Sequence, residues 1–320
     1  MTQMTPRERF RSALLFDYPD KVPLDPGSPR ESTLAAWRRQ GLSEAADWRT
    51  SLMRAVGIDD DALHVSSELD VDFRMVPPFA EKVLEHRDGH YVVQDWMGAI
   101  TEISDEYDFT YIRSAKDFVT RKWHRFPVES RADWLEKIAW RYNASDPRRF
   151  PDDFAAQWEA LRDRESVLGL SCNGPFWQLR EWCGMEGLCL LMADQPEFVQ
   201  EMIDVWSDFV SAMLARFLPH VELDYVQISE DMAYKQHSMI SPAMTRRFLL
   251  PSWRRWVDVV KASGCPIASM DSDGYAAELL PLWIEAGFNC SIPTEVAAGN
   301  DIVAYRQQYG RRMAFLGGID

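Results

Sequence analysis

Four short polar clusters hold most of the residues that could do chemistry: SEDMAYK (Ser229 to Lys235), SMDSDG (Ser269 to Gly274), IPTEV (Ile292 to Val296) and FLGGID (Phe315 to Asp320). Each follows a short apolar run that reads as a strand and precedes a stretch that reads as a helix. In a parallel α/β barrel such positions surround one mouth, where active sites form. The carboxylates among them, Glu230, Asp231, Asp271, Asp273 and Glu295, suit proton transfer or the binding of a metal ion.

Each candidate also has an ordinary alternative. Adjacent carboxylates at Glu230 and Asp231 can raise one another's pKa, which fits a metal ligand beside a general acid or base. Equally, one would cap the next helix while the other pairs with Lys235. Asp271 and Asp273, two apart on an extended segment, project to one side and would both face the cavity, although Asp-Ser-Asp-Gly is also good turn chemistry. Glu295 completes an acidic ring unless Thr294 caps a helix. Beyond the fourth strand, Tyr234 and His237 are candidate substrate contacts, but a lone His is more often an ordinary hydrogen-bonded residue. Asn173, beside Gly174 with its close backbone approach, is placed to orient substrate, and Trp177 to stack on a flat ring; both also suit core packing.

The elements that must position these groups alternate in the second half of the chain. VLGLSCN, DYVQIS, CPIASMD, GFNCSIP and RMAFLGG read as strands, separated by helical stretches such as Gln195 to Leu218. Ser241-Pro242 opens a helix as cap and first-turn proline, with a kink expected at Pro251; ELLPLWIEAG and NDIVAYRQQYG end at glycine. This alternation predicts a parallel sheet with right-handed crossovers, closed as a barrel or open as a doubly wound sheet. In the first half, KVPLDPGS (Lys21 to Ser28) reads as an opening strand and Ala62 to Asp70 as the second. Residues 81–104 read as a β-hairpin turning at Asp88-Gly89, and residues 105–160 as a helical elaboration over or beside the mouth. All 320 residues then form one domain.

Composition narrows the function classes. Thirty-five basic residues against 50 acidic ones give a formal charge of −15, which opposes binding to nucleic acid. No window reaches the roughly 18 apolar residues of a membrane span, and MTQMTPRERFRSALLF reads as an amphipathic helix capped near Thr5; these predict a cytoplasmic protein. The five cysteines lack a C-x-x-C pair, and most read as buried thiols.

The segments TPRERFRSALLFDYPDKVPLDPG, FPVESRADWLEKI, SEDMAYK with SPAMTRRFLLPSWRR, DSDG, and EVAAGNDIVAYRQQYGRRMAFLGGID together resemble the uroporphyrinogen decarboxylase superfamily, and most closely its corrinoid-associated methyltransferases. The resemblance runs over nearly the whole chain and is densest from Val167 onward. It implies a (β/α)8 TIM barrel with its site at the carboxyl ends of the strands. Counted this way, the seventh strand ends at Gly317-Gly318, so the eighth strand and helix are missing, and a truncated chain or a homo-oligomer whose partner closes the barrel is expected.

Two departures shape the expected chemistry. Where porphyrinogen decarboxylases of the superfamily carry an arginine-rich loop, this chain reads DPGSPRESTLAAW with only Arg30 near, so it lacks the clamp for a polycarboxylate substrate. Where its zinc thiol methyltransferases use H-x-C-G, this chain has Asp271-Ser272-Asp273-Gly274, which weakens a soft-ligand zinc site. The favoured expectation is a methyltransferase acting on a small methylated donor, such as an aryl methyl ether, with a corrinoid (cobalamin) on a partner protein as acceptor. Glu230, Asp271 and Asp273 would bind a divalent metal such as zinc, or a proton, that polarises the leaving oxygen. A decarboxylase using Asp25 or Asp231 to stabilise a protonated ring is the second expectation, and a non-catalytic tetrapyrrole or corrinoid binder the third.

Overall fold

The computed structural model describes residues 3–58, 66–114, 117 and 119–319. In chain order the strands are β1 (Ser66–Glu68), β2 (Lys82–Arg87), β3 (His90–Gln94), β4 (Ile100–Ser104), β5 (Lys122–Arg125), β6 (Val167–Asn173), β7 (Tyr225–Ser229), β8 (Ile267–Asp271), β9 (Cys290–Ile292) and β10 (Ala314–Phe315). They form two sheets: a parallel one in the order β1-β6-β7-β8-β9-β10, and an antiparallel one in the order β2-β3-β4-β5. The fold is thus mixed α/β around a parallel sheet.

The described pairing runs in a single line from β1 to β10. Where an opening strand is expected at Lys21 to Ser28, Leu24 alone makes an isolated bridge. The reason lies in the sequence: Pro23 and Pro26 carry no amide hydrogen, and Gly27 turns the chain at φ +68°. Of the expected second strand, Ser66–Glu68 is β1 and residues 62–65 lie outside the described residues.

Alternation along the parallel strands separates two layers. Leu168, Leu170 and Cys172, with Val226 and Ile228, and with Ala268 and Met270, face the helices and join the main core. That core includes Trp206 from the helix Pro196–Phe217, and Trp253 and Trp256 from Leu250–Ala262, all at most 1% exposed. Burial of each such ring contributes roughly 2–3 kcal/mol. Val167, Ile267, Cys290 and Ala314 face the other way, at the amino ends of the strands. There Phe10 and Leu14 of the helix Pro6–Leu14 plug the sheet. Thr5 starts this helix with a capping box, and Arg7 anchors it to the buried Asp224 at 2.7 Å. With the amino ends plugged, the carboxyl ends of the strands are left for chemistry.

The helix expected from Ser241 breaks at Leu249 into Pro242–Phe248 and Leu250–Ala262, because Pro251 lacks the amide hydrogen that would bond one turn back. Asp88 and Gly89 both take positive φ and turn β2 into β3. β4 and β5 extend that hairpin into a four-stranded sheet.

Candidate active site

The face of the parallel sheet turned away from the helices becomes polar toward its carboxyl end. One register layer aligns Ser171, Gln227 and Ser269; the next aligns Asn173, Ser229 and Asp271. Asp271 accepts from Ser229 Oγ at 2.8 Å and from Gln227 Nε2 at 3.3 Å. Burial pushes its carboxyl upward against the Ser229 bond, and the charge of Asp231 adds to the rise. Asp273 stands just beyond β8. Loss of water from its inner side, followed by the charges of Glu295, Asp231 and Asp271, pushes it up to about 6. Four of the predicted carboxylates therefore share one electrostatic neighbourhood.

Much of their hydrogen bonding is local and holds the loops together. Glu295 accepts the amide of Gly274 at 2.7 Å, and Asn300 bridges Gly274 O and Glu295 O at 2.9 and 2.8 Å. Gly274 has φ +85°, and a Cβ there would run into the backbone of Ala233 and Tyr234, so only glycine fits this turn. Asp231 takes φ +41°, and its carboxylate lies 3.9 Å from Arg180.

Glu230 lies on the other side of the sheet. One residue beyond Ser229, it shares the parity of Val226 and Ile228 and enters the helix-facing core, where it is fully buried. Its Oε1 accepts from Trp253 Nε1 at 2.6 Å and its Oε2 from the amide of Trp177 at 2.9 Å, in the first turn of the helix Pro175–Cys183. A carboxylate from a neighbouring strand thus serves where Gly174, the N-cap residue, has no side chain to offer. A Cβ on Gly174 would overlap this carboxylate. Burial pushes Glu230 up to about 7 despite the hydrogen bonds of Trp177 and Trp253.

A cavity of about 700 Å³ opens at the carboxyl ends of β1 and β6. Phe73, Trp96, Tyr142, Trp182 and Trp206 supply aromatic walls, and Asn173 lies at the sheet side. Tyr142 meets Trp206 edge-on at 5.3 Å, and Trp182 meets it edge-on at 6.0 Å. The helical elaboration contributes Tyr142 and Arg148, and the antiparallel sheet contributes Trp96 and Met97 in the turn between β3 and β4. The fully buried Arg149 ties the segment beyond β1 in place, donating to the carbonyls of Asp72, Arg74, Arg141 and Asn143.

A connected set of neutral donors lies in and behind the wall of this cavity. Asn173 Nδ2 donates to Gln178 Oε1 at 3.2 Å. Gln178 Nε2 reaches both Tyr142 Oη at 3.3 Å and Glu181 Oε2 at 3.1 Å. Trp177 Nε1 donates to Glu181 Oε1 at 2.9 Å. Burial raises the Glu181 carboxyl pKa against these two bonds.

The predicted residues thus fall into separate places. Asn173 lines the cavity, and Trp177 donates its indole N–H to Glu181 in the cavity wall. Asp231, Asp271, Asp273 and Glu295 gather at the ends of β7 to β9, whereas Glu230 is on the helix side. Tyr234 is 57% exposed, and His237 is exposed and lies 3.4 Å from Glu278. Asp25 closes its own turn by accepting the Gly27 amide at 2.9 Å. Sequence reasoning missed Gln178 and Glu181, although their spacing from Trp177 puts all three on one helical side.

The three carboxylates expected to share a metal, Glu230, Asp271 and Asp273, are not gathered in one place. Glu230 is taken by Trp177 and Trp253 and is not free to join Asp271 and Asp273. Among the described residues, no three of His, Cys, Asp and Glu converge as metal ligands. Among the described residues, no helix is long and apolar enough to cross a membrane.

No protein-family model matches the chain, and no curated protein does. Among solved structures, the chain is similar in fold to a methyltransferase from Methanosarcina mazei, with a TM-score of 0.57 at 15% sequence identity. The match covers 98% of this chain and 82% of that one.

Proposed function

We propose that the protein is a methyltransferase of the uroporphyrinogen decarboxylase superfamily. In this reading a small aromatic donor, such as an aryl methyl ether, occupies the cavity, and its methyl group passes to a corrinoid presented by a partner protein. The observation that carries the proposal is the aromatic-walled cavity at the carboxyl ends of β1 and β6, with a carboxyl group of raised pKa in its wall. The fold likeness to a methyltransferase supports the reaction class. The sequence resemblance supports the corrinoid acceptor and a barrel architecture.

The corrinoid supplies the nucleophile when bound. The chain's part is to hold the donor between aromatic faces, exclude water and protonate the oxygen that loses its methyl group. Asp271 and Asp273, whose carboxyls are pushed upward by burial, stand at the strand ends as groups that can exchange a proton. Glu230 is a positioning residue, because it fixes the helix that carries Trp177, Gln178 and Glu181.

A second reading is decarboxylation, favoured by Arg74, Arg113 and Arg148 at the cavity. Each is already paired, with Asp72 at 2.9 Å, Glu81 at 3.0 Å and Asp146 at 2.7 Å, and so is poorly placed to clamp a substrate carboxylate. Incubation with labelled 2-methoxyphenol and reduced cobalamin tests both readings. Label appearing on the corrinoid supports methyl transfer. No transfer from any aryl methyl ether, with carbon dioxide released from an aromatic carboxylate, would replace it with decarboxylation.

A further inference from the structure

Building on the methyltransferase reading, we propose that Glu181 is the acid of the cavity: its protonated carboxyl binds the ether oxygen of the donor and gives that oxygen a proton as the methyl group leaves. Glu181 comes from the helix Pro175–Cys183 and lines the cavity together with Asn173 and Gln178. Its two oxygens each receive one neutral N–H, from Trp177 at 2.9 Å and Gln178 at 3.1 Å, which fixes the carboxyl plane.

The surroundings favour the neutral form. Glu181 makes no ion pair among the described residues. Its neighbour Arg180 donates to Glu230 O at 2.8 Å and lies 3.9 Å from Asp231; its charge still acts on Glu181 and favours the carboxylate, but burial outweighs it. From the antiparallel sheet comes Asp95, 2% exposed, whose charge repels a second charge on Glu181. Asp95 Oδ1 accepts the amides of Met97 and Ala99 at 3.0 and 2.9 Å, while its Oδ2 is buried without a partner. Arg121 acts electrostatically on Asp95. Tyr142 faces Glu181 from the helical elaboration and is held neutral by burial. At the rim, Arg74, Arg113 and Arg148 are occupied by their own carboxylates, and Asp70 and Asp72 add negative charge.

The proton balance follows from these contacts. A reduced corrinoid acceptor, when bound, would supply the electron pair that takes the methyl carbon, with the pair of the broken oxygen–methyl bond staying on oxygen. The Glu181 proton joins that oxygen, leaving a phenol, a methylated acceptor and the Glu181 carboxylate. Trp177 and Gln178, already donating to the two carboxyl oxygens, stabilise that carboxylate.

Binding of 2-methoxyphenol, followed by calorimetry across pH without any acceptor, tests the assignment apart from turnover. Affinity in the wild-type protein is expected to hold constant at low pH and to fall about tenfold per pH unit above the Glu181 titration. Glu181→Gln, which donates from an amide at every pH, is expected to show no such break. Asp95→Asn is expected to shift the break downward in pH, with weaker binding above it and unchanged binding at low pH, because Glu181 ionises sooner once the Asp95 charge is gone. No saturable binding, the same break in Glu181→Gln, or an unmoved break in Asp95→Asn overturns the proposal. A break that depends on Glu181 in a protein that transfers no methyl group supports the acid assignment and removes only the reaction class.

Discussion

The ends of β7 to β9 and the cavity beside β1 and β6 share one sheet edge but treat carboxylates in opposite ways. At β7 to β9, Asp231, Asp271, Asp273 and Glu295 crowd together, and two of them are occupied by local hydrogen bonds to Ser229 and Gly274. In the cavity the Glu181 carboxyl stands among aromatic rings with neutral donors on both oxygens, apart from Asp70 and Asp72 at the rim. The first region is conspicuous in sequence because it is rich in charge. The second has the concave aromatic wall that lets one proton be placed against one substrate atom.

The largest expected effect falls on the cavity. Glu181→Gln is expected to lower kcat/KM for methyl transfer by about 100-fold or more, the usual contribution of a general acid, with the circular dichroism unchanged. An unchanged rate would reverse the ranking of the two regions. Next comes the joint between them: Gly174→Ala forces a methyl group into the Glu230 carboxylate and is expected to cost about 2–3 kcal/mol of unfolding free energy in denaturant titrations.

A pH effect on stability isolates Glu230. Its folded pKa is raised from 4.5 to about 7, so the folded state holds the proton more tightly than the unfolded one. The contribution of Glu230 is therefore most favourable below pH 4.5 and is lost as pH rises through about 7, by up to about 3 kcal/mol. The stability difference between wild type and Glu230→Gln should shift in that direction over the window, whatever its constant offset; a pH-independent difference would contradict the burial argument. The smallest effects belong to the exposed groups. Asp273→Asn and His237→Ala are each expected to change methyl transfer by less than about threefold, since His237 is exposed beyond the strand end and Asp273 shares its charge with three neighbours.

Much of the scaffold was legible because its physics is local. The apolar runs of β6 to β9, the Ser241-Pro242 helix start, the break before Pro251 and the Asp88-Gly89 turn each carry their cause within a few residues. β5 was not legible: Lys-Trp-His-Arg is exposed throughout and has no alternation to read. The opening strand failed because its two prolines were weighed less than its apolar residues. Within the site, the parity of β7 already separates Ser229 from Glu230, and counting from Val226 and Ile228 would have sent Glu230 to the helix side. The cavity itself was not readable, because it is built from segments about 100 residues apart, with Asp70 to Val76, Trp96, Tyr142 and Glu181 meeting only in the fold.

The most direct test is a crystal structure with 2-methoxyphenol bound. The account predicts the ring among Trp96, Tyr142 and Trp182, with its ether oxygen within about 3 Å of the Glu181 carboxyl. A donor bound instead against Asp271 and Asp273, with the cavity filled only by water, would contradict it.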